Sequence, residues 1–107
     1  MSYRLILTDT AKEDLREIAL YIAQQFKETN TAKKLVNELR ERCNILKEFP
    51  NSGSIPRDRV LRSAGYRFLV HKDYLIFYEV DEKSQTVYVM AIFNGRRDYM
   101  RVMRKFI

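Results

Sequence analysis

Apolar residues recur at steps of three and four near the start of the chain. The first such stripe consists of Leu15, Ile18, Ile22 and Phe26. Charged residues fill the positions between them, so the pattern predicts an amphipathic helix over residues 11–26. Thr10 followed by Glu13 has the sequence of a capping box, which places the start of this helix at Thr10. The other carboxylates of this segment, Asp14 and Glu17, are expected to be solvated charges on the exposed face.

A second stripe of the same spacing follows the turn-forming residues 29–31. It consists of Ala32, Leu35, Val36, Leu39, Cys43, Leu46 and Phe49. The spacing predicts a second helix, which Pro50 ends. A short connection between two amphipathic helices indicates an antiparallel hairpin whose apolar seam faces a sheet.

Runs of β-favouring residues begin and end the pattern. A short strand is predicted at residues 3–8, and three more at residues 66–71, 74–80 and 86–93. The last three are joined by such short connections that they predict an antiparallel meander. Residues 51–54 are a turn cluster, and the segment that follows, through Pro56 and Arg62, has no clear period and is expected to form an ordered basic loop leading into the sheet. The sequence therefore predicts an α+β fold: an N-terminal strand, an antiparallel helical hairpin, a three-stranded antiparallel meander and a short C-terminal segment.

The last predicted strand is apolar on both faces. Strict alternation puts Val87, Val89, Ala91 and Phe93 on one face and Tyr88, Met90 and Ile92 on the other. One face is expected to take the helices, so the other needs a cover. Residues 98–107 could be that cover, or they could form a site for a partner.

Composition limits the class of protein. A chain of 107 residues that is 46% hydrophobic is expected to form one domain over residues 1–107. The lone Cys43 has no partner for an internal disulfide, and residues 1–7 lack the features of a signal peptide. No apolar run approaches the length of a membrane span. We therefore expect a cytoplasmic protein with no membrane partner.

Positive charge is concentrated in the second half of the chain. The net charge is +6; residues 1–53 carry 9 basic and 8 acidic side chains, whereas residues 54–107 carry 11 and 6. This asymmetry favours a polyanionic partner, either a nucleic acid or an acidic protein segment. A surface that only maintains solubility would show the same excess, so charge leaves both interpretations open.

Six local motifs occur in a characteristic order. They are AKEDL at residues 11–15, YI at 21–22, LKEFPNSG at 46–53, GYRFLV at 65–70, YLIFYEV at 74–80 and GRRDY at 95–99. Together with the predicted elements they resemble the RelE/ParE superfamily, the toxins of bacterial type II toxin–antitoxin systems. The resemblance implies a toxin that a tightly bound, acidic cognate antitoxin neutralises.

The resemblance leaves the target open. RelE-like members cleave mRNA on the ribosome, whereas ParE-like members poison DNA gyrase without chemistry of their own. A third alternative is a member that only binds its antitoxin and contributes to operator binding. The basic second half of the chain favours the ribosome and mRNA, and on that ground the endoribonuclease is the preferred hypothesis.

Candidate catalytic residues follow from the resemblance. Metal-independent cleavage of RNA needs a group that takes the 2′-hydroxyl proton, positive charge on the phosphate and an acid for the leaving oxygen. The RelE-like pattern implies that Arg67 and Arg97 bind the phosphate and that Tyr99 stacks on a base or relays a proton. The residues that would hold the flanking RNA are Arg57, Arg59, Arg62 and Arg96.

Several features keep other interpretations open. Asn94 stands where many relatives carry histidine, and an amide does not titrate. His71 is the only histidine, and a structural role is the commoner one for a histidine at a strand end. Arg67 could pair with Glu79, and Tyr99 could pack under the C-terminal segment. Glycine occurs only at positions 53, 65 and 95, and no Cys/His cluster is present, so neither a cofactor nor a metal is expected.

Overall fold

The computed structural model describes residues 2–107 and has the predicted α+β architecture. A four-stranded sheet carries a helical hairpin on one face and a short C-terminal helix on the other. The elements are β1 (Arg4–Leu7), α1 (Asp9–Phe26), α2 (Thr29–Asn44), α3 (Arg59–Ser63), β2 (Tyr66–His71), β3 (Tyr74–Asp81), β4 (Thr86–Asn94) and α4 (Tyr99–Met103), with 3₁₀ turns at Ile45–Lys47 and Arg104–Phe106. No helix within residues 2–107 has both the length and the apolar character that crossing a bilayer requires.

The sheet has the strand order β1-β4-β3-β2. Strands β2, β3 and β4 form the predicted antiparallel meander. The N-terminal strand completes the sheet by lying parallel to β4, with Arg4 opposite Thr86 and Leu7 opposite Val89. The first strand of the chain and its last strand are therefore neighbours.

Each face of the sheet has its own apolar core. The core under the hairpin consists of Ala11, Leu15, Leu39, Cys43, Leu46, Leu69, Ile76, Tyr78, Val87, Val89 and Ile92. The core on the opposite face consists of Leu61, Tyr66, Phe77, Ala91, Phe93 and Met103. Met103 of α4 is fully buried there, so residues 98–107 act as the cover that the apolar sheet requires.

Helix α1 begins two residues earlier than predicted, and the capping box at Thr10 is wrong. Thr8 is the N-cap, since its hydroxyl oxygen accepts a hydrogen bond from the backbone N–H of Ala11 at 3.2 Å. The same hydroxyl donates to the carbonyl oxygen of Val89 at 2.9 Å. Thr8 therefore ends β1, begins α1 and fastens both to β4, which Thr10 cannot do because it lies inside the helix.

The prediction of a basic loop through Pro56 and Arg62 also needs a correction. These residues are not wholly a loop, because Arg59–Ser63 form the short helix α3. The Asp58 carboxylate caps it by accepting a hydrogen bond from the N–H of Leu61 at 3.0 Å. The apolar side of α3 buries Leu61 in the second core. Earlier in the segment, Ser54 and Phe68 exchange backbone hydrogen bonds, which hold the chain against the edge of β2.

Strict alternation in β4 fails at a β-bulge. Phe77 of β3 lies opposite Ala91, but its neighbour Tyr78 lies opposite Val89, so Met90 has no partner in the register. The extra residue reverses the facing of the strand beyond it. Val89 and Ile92 consequently face the hairpin, while Ala91 faces the cover, contrary to the prediction that Val89 and Ala91 share a face.

Candidate functional site

Arg67 lies on β2 and is held by backbone groups. Its Nη1 donates hydrogen bonds to the carbonyl oxygens of Asn51 at 3.2 Å and Gly53 at 3.1 Å. The predicted alternative, a pair with Glu79, is absent from the ion pairs of residues 2–107, and Arg67 instead lies opposite Tyr78 in the sheet register. Arg67 thus fastens the segment after α2 to the edge of the sheet.

Tyr78 is a residue of this region that the sequence analysis did not single out. Its side chain is fully buried, and its hydroxyl accepts a hydrogen bond from the N–H of Gly53 at 2.9 Å. Burial raises the pKa of the Tyr78 hydroxyl, although the Gly53 hydrogen bond and the nearby Arg67 charge act in the opposite direction. A tyrosine in the middle of an apolar strand was the available signal, because its hydroxyl needs a partner when the ring is buried.

Tyr99 lies on the opposite face of the sheet from Arg67. Successive residues of a strand point to opposite faces, and Phe68 belongs to the cover side, so Arg67 belongs to the helical side. The Tyr99 ring stacks on Phe77 on the cover side, with centroids 5.9 Å apart. The sheet therefore separates two of the three residues predicted to act together.

A cavity of about 300 Å³ does contain Tyr99. Arg57, one of the predicted RNA-binding residues, lines it together with Phe68 and Phe77. This arrangement combines flat apolar rings with a guanidinium group. Of the other residues predicted to hold RNA, Arg59 and Arg62 are exposed on α3, and Arg96 is exposed after β4.

Arg97 lies beyond the end of β4. Asn94, the last residue of that strand, is opposite Tyr74, which is opposite His71 at the end of β2. His71 and Asn94 are thus two strands apart, which is about 10 Å across the sheet, and Arg67 lies four residues before His71, which adds about 13 Å along the strands. Arg97 lies three residues beyond Asn94 and outside the sheet, so it shares neither a strand nor a register position with Arg67.

Arg97 and Asp14 line a cleft of about 350 Å³ between α1 and the end of β4. Strand β1 pairs with β4 only as far as Val89, and the end of β4 after that residue lies beside α1 instead. The Asp14 carboxylate accepts a hydrogen bond from the backbone N–H of Ile92 at 2.9 Å. Asp14 is thus partly buried and bonded to the sheet, which corrects the expectation that it is a solvated surface charge.

Removing the Asp14 carboxylate should destabilise the protein. Burial raises the pKa of this carboxyl, against the opposing effects of the Ile92 hydrogen bond and the Lys105 and Arg97 charges. We expect Asp14→Ala to lower the free energy of unfolding by about 1–2 kcal/mol, because the N–H of Ile92 loses its acceptor. Urea unfolding measures this change.

The variant Asp14→Asn is the matched control, since its amide oxygen can still accept the hydrogen bond. A carboxyl with a raised pKa favours folding when it is protonated, and this stability is lost as pH rises through its folded pKa. Near neutral pH, Asp14→Asn should therefore have a larger free energy of unfolding than the wild type. This difference should vanish below pH 3.8, the ordinary pKa of an aspartate carboxyl. Equal losses in the two variants at all pH values would contradict this role for Asp14.

His71 contacts α2 instead of the predicted catalytic residues. Its Nε2 lies 3.1 Å from Glu38 Oε1, and Lys72 Nζ lies 3.0 Å from the same oxygen. The hydrogen bond from Lys72, followed by that from His71, lowers the pKa of the Glu38 carboxyl. These contacts join the β2–β3 turn to the helical hairpin.

The outer surface of the hairpin has an apolar groove of about 450 Å³ between α1 and α2. Ala19, Leu20, Ala23, Ala32 and Val36 line it, with Arg16 and Lys33 among its polar residues. Leu20 is 53% exposed, which is unusual for a large apolar side chain beside other apolar residues.

No group of three potential His, Cys, Asp or Glu ligands converges within residues 2–107.

Comparisons with known proteins place these features in a family. A model of the family described as "ParE toxin of type II toxin-antitoxin system, parDE" matches residues 5–99, which is most of the chain. No curated protein sequence gives a significant match.

Solved structures of toxins and toxin–antitoxin complexes have the same fold. The chromosomal ParDE system from P. aeruginosa matches with a TM-score of 0.72 and 20% identity, over 87% of this chain and 96% of that one. The RelBE2 toxin–antitoxin complex from Mycobacterium tuberculosis matches with a TM-score of 0.67 and 20% identity, over 88% and 99%. A mutant of the E. coli toxin RelE in the free state matches with a TM-score of 0.59 and 14% identity, over the full length of both chains.

Proposed function

Because the chain belongs to the ParE toxin family of type II toxin–antitoxin systems, we propose that it arrests growth by binding and inhibiting DNA gyrase, with no chemistry of its own. This reverses the preference for an endoribonuclease that the basic composition suggested. The protein would act in the cytoplasm as the toxin of a pair, with its cognate antitoxin as its regulatory partner.

The placement of Arg67 and Tyr99 on opposite faces of the sheet is the observation that carries the proposal. Cleavage of RNA needs a phosphate-binding group and a proton-transfer group at the same scissile bond, within hydrogen-bond reach. Here Arg67 binds backbone carbonyls on the helical side, whereas Tyr99 stacks on Phe77 on the cover side.

Neither Asn94 nor His71 is placed to accept the 2′-hydroxyl proton. Asn94 carries a neutral amide at the end of β4, and His71 is hydrogen-bonded to Glu38. Arginine is too basic to accept a proton near neutral pH. A toxin that acts by binding needs none of these groups.

One observation favours the endoribonuclease as a second candidate. Arg57 and Tyr99 line the same cavity, where Phe68 and Phe77 provide flat apolar surface. Such a pocket suits an unstacked RNA base with its phosphate at the guanidinium group. The experiment below therefore includes a variant of Tyr99.

Purified toxin should inhibit DNA supercoiling by gyrase, while mRNA from briefly induced cells stays intact by primer extension. Tyr99→Phe keeps the ring and removes the hydroxyl. If the protein inhibits gyrase by binding alone, this variant should be as active as the wild type; if Tyr99 relays a proton, it should lose on the order of a hundredfold in activity. Toxin mixed with its cognate antitoxin is the control, and its inhibition should be relieved. Transcripts cut within reading frames, together with unaffected supercoiling, would refute the gyrase proposal.

The groove between α1 and α2 is the surface that suits the antitoxin best. Its apolar lining fits the apolar side of an amphipathic helix, and Arg16 and Lys33 match acidic residues beside that side. An antitoxin that is acidic and partly disordered when free would fold as it wraps the hairpin. Structures of related toxins in complex with antitoxins support the existence of this partner.

A further inference from the structure

Positive charge is concentrated near the end of the chain. Residues 96–105 carry five basic side chains and one acidic side chain, in a protein whose net charge is +6. The apolar residues of this segment pack on the sheet, where Met103 is fully buried and Val102 and Phe106 are partly buried. Its basic residues therefore point away from the core.

Three of these residues form what we term the basic stripe: Arg97, Arg101 and Lys105. They lie four residues apart in the sequence, with Arg97 before α4, Arg101 within it and Lys105 in the 3₁₀ turn that follows. All three are exposed and line one open depression of about 520 Å³, together with Asp98 and Val102. The stripe is thus a continuous surface.

The stripe has little local compensation. Among the ion pairs of residues 2–107, none involves Arg97, Arg101 or Lys105. Two carboxylates lie near the stripe: Asp98, which accepts a hydrogen bond from the N–H of Met100 at 3.1 Å, and Asp14, whose pKa is raised by burial and partly lowered by the Lys105 and Arg97 charges. Because neither carboxylate forms an ion pair with the stripe, its three cations leave a net positive local potential that attracts a polyanion.

We propose that the basic stripe binds the phosphodiester backbone of duplex DNA. Contacts with phosphates need only correctly placed positive charge, whereas protein interfaces depend on exposed apolar anchors. Within residues 96–107 the one large apolar side chain that is mostly exposed is Ile107, at 51%. The surface therefore favours a nucleic acid over an acidic protein. The choice of DNA rests on the proposed function, since gyrase holds duplex DNA.

Titration of a labelled duplex with the full-length toxin tests this binding without gyrase. Three phosphate contacts give a slope of about −2.7 in the dependence of log K on log salt, so affinity should fall roughly 40-fold between about 50 and 200 mM salt. The triple variant Arg97→Gln/Arg101→Gln/Lys105→Gln should lose most of this slope and bind at least about tenfold more weakly at the lower salt concentration.

A second triple variant controls for net charge. Lys12→Gln/Lys34→Gln/Arg40→Gln removes the same charge from exposed positions on the hairpin. It should keep the slope, and circular dichroism should show that both variants fold. Equal losses in the two variants would overturn the stripe as a site.

Two competitors test the class of ligand. Polyglutamate that displaces the duplex as effectively as unlabelled DNA would overturn the nucleic-acid assignment, and tighter binding of single-stranded RNA would overturn the choice of DNA. The gyrase assay on the same stripe variant separates this inference from the proposed function. A wild-type toxin that binds DNA through the stripe but leaves gyrase active refutes only the proposed function, whereas one that inhibits gyrase without binding free duplex refutes only the stripe.

Discussion

Replacing Phe77 with alanine is expected to lower the free energy of unfolding by about 3–5 kcal/mol, as for other buried Phe→Ala changes. The ring is 1% exposed in the centre of β3. It stacks on Phe68, Phe93 and Tyr99, with centroid distances of 5.4, 5.6 and 5.9 Å. Its loss leaves a cavity beneath the C-terminal cover, in a protein of a size that is stable by about 5–15 kcal/mol in total.

Thermal unfolding should show a decrease in Tm of roughly 12–40 °C, at about 4–8 °C for each kcal/mol. Limited tryptic digestion should also cut faster at Arg101 and Arg104, since Tyr99 loses the ring on which it packs. The matched control is Phe26→Ala, because Phe26 is 61% exposed. It should change stability by at most about 0.5 kcal/mol. Similar changes in Tm for the two variants would mean that Phe77 is not the centre of the second core.

Gly53→Ala should destabilise the protein by about 2–4 kcal/mol through overpacking. A Cβ atom at this position would lie 2.6 Å from the Tyr78 hydroxyl oxygen and 2.8 Å from the carbonyl oxygen of Phe68. The first contact strains the hydrogen bond between Tyr78 and the Gly53 N–H, and the second involves backbone that cannot rotate away. The Gly53 carbonyl would shift from Arg67 as well, so the edge of β2 should loosen.

Urea unfolding of Gly65→Ala provides the comparison. Gly65 has φ +87°, but no atom outside Gly65 and its two chain neighbours lies within 4 Å of the position of its Cβ. Its replacement should therefore cost about 1–2 kcal/mol from backbone conformation alone. If Gly53→Ala proves no more destabilising than Gly65→Ala, the close approach of Gly53 to Tyr78 is not a packing constraint.

The fold was largely predictable because its elements follow from local patterns. Apolar residues at helical spacing located α1 and α2, and the short polar connections located the meander. The β-bulge at Met90 was not predictable, since both faces of β4 are apolar and either facing satisfies the pattern. The N-cap was assigned to Thr10 because Thr8 gains its advantage from Val89, a contact between residues 81 positions apart.

The predicted site depended on tertiary contacts that no local pattern contains. Arg67 is a strand arginine in the sequence, and its role becomes visible only when the segment after α2 returns to the edge of β2. The polar helical position of Asp14 indicates a surface charge, but β1 is too short to cover the N–H of Ile92, and Asp14 accepts its hydrogen bond instead. The roles predicted for Arg67, Arg97 and Tyr99 in RNA cleavage remain predictions.

The parallel pairing of β1 with β4 imposes an order of events during synthesis. Arg4 emerges from the ribosome early but finds its neighbour Thr86 only after most of the chain has been made. At about 5–20 residues per second, the intervening residues take about 4–16 s to synthesise. Until then the chain lacks β4, the strand that joins β1 to β3. An antitoxin already present can therefore meet the toxin chain for several seconds before its sheet is complete.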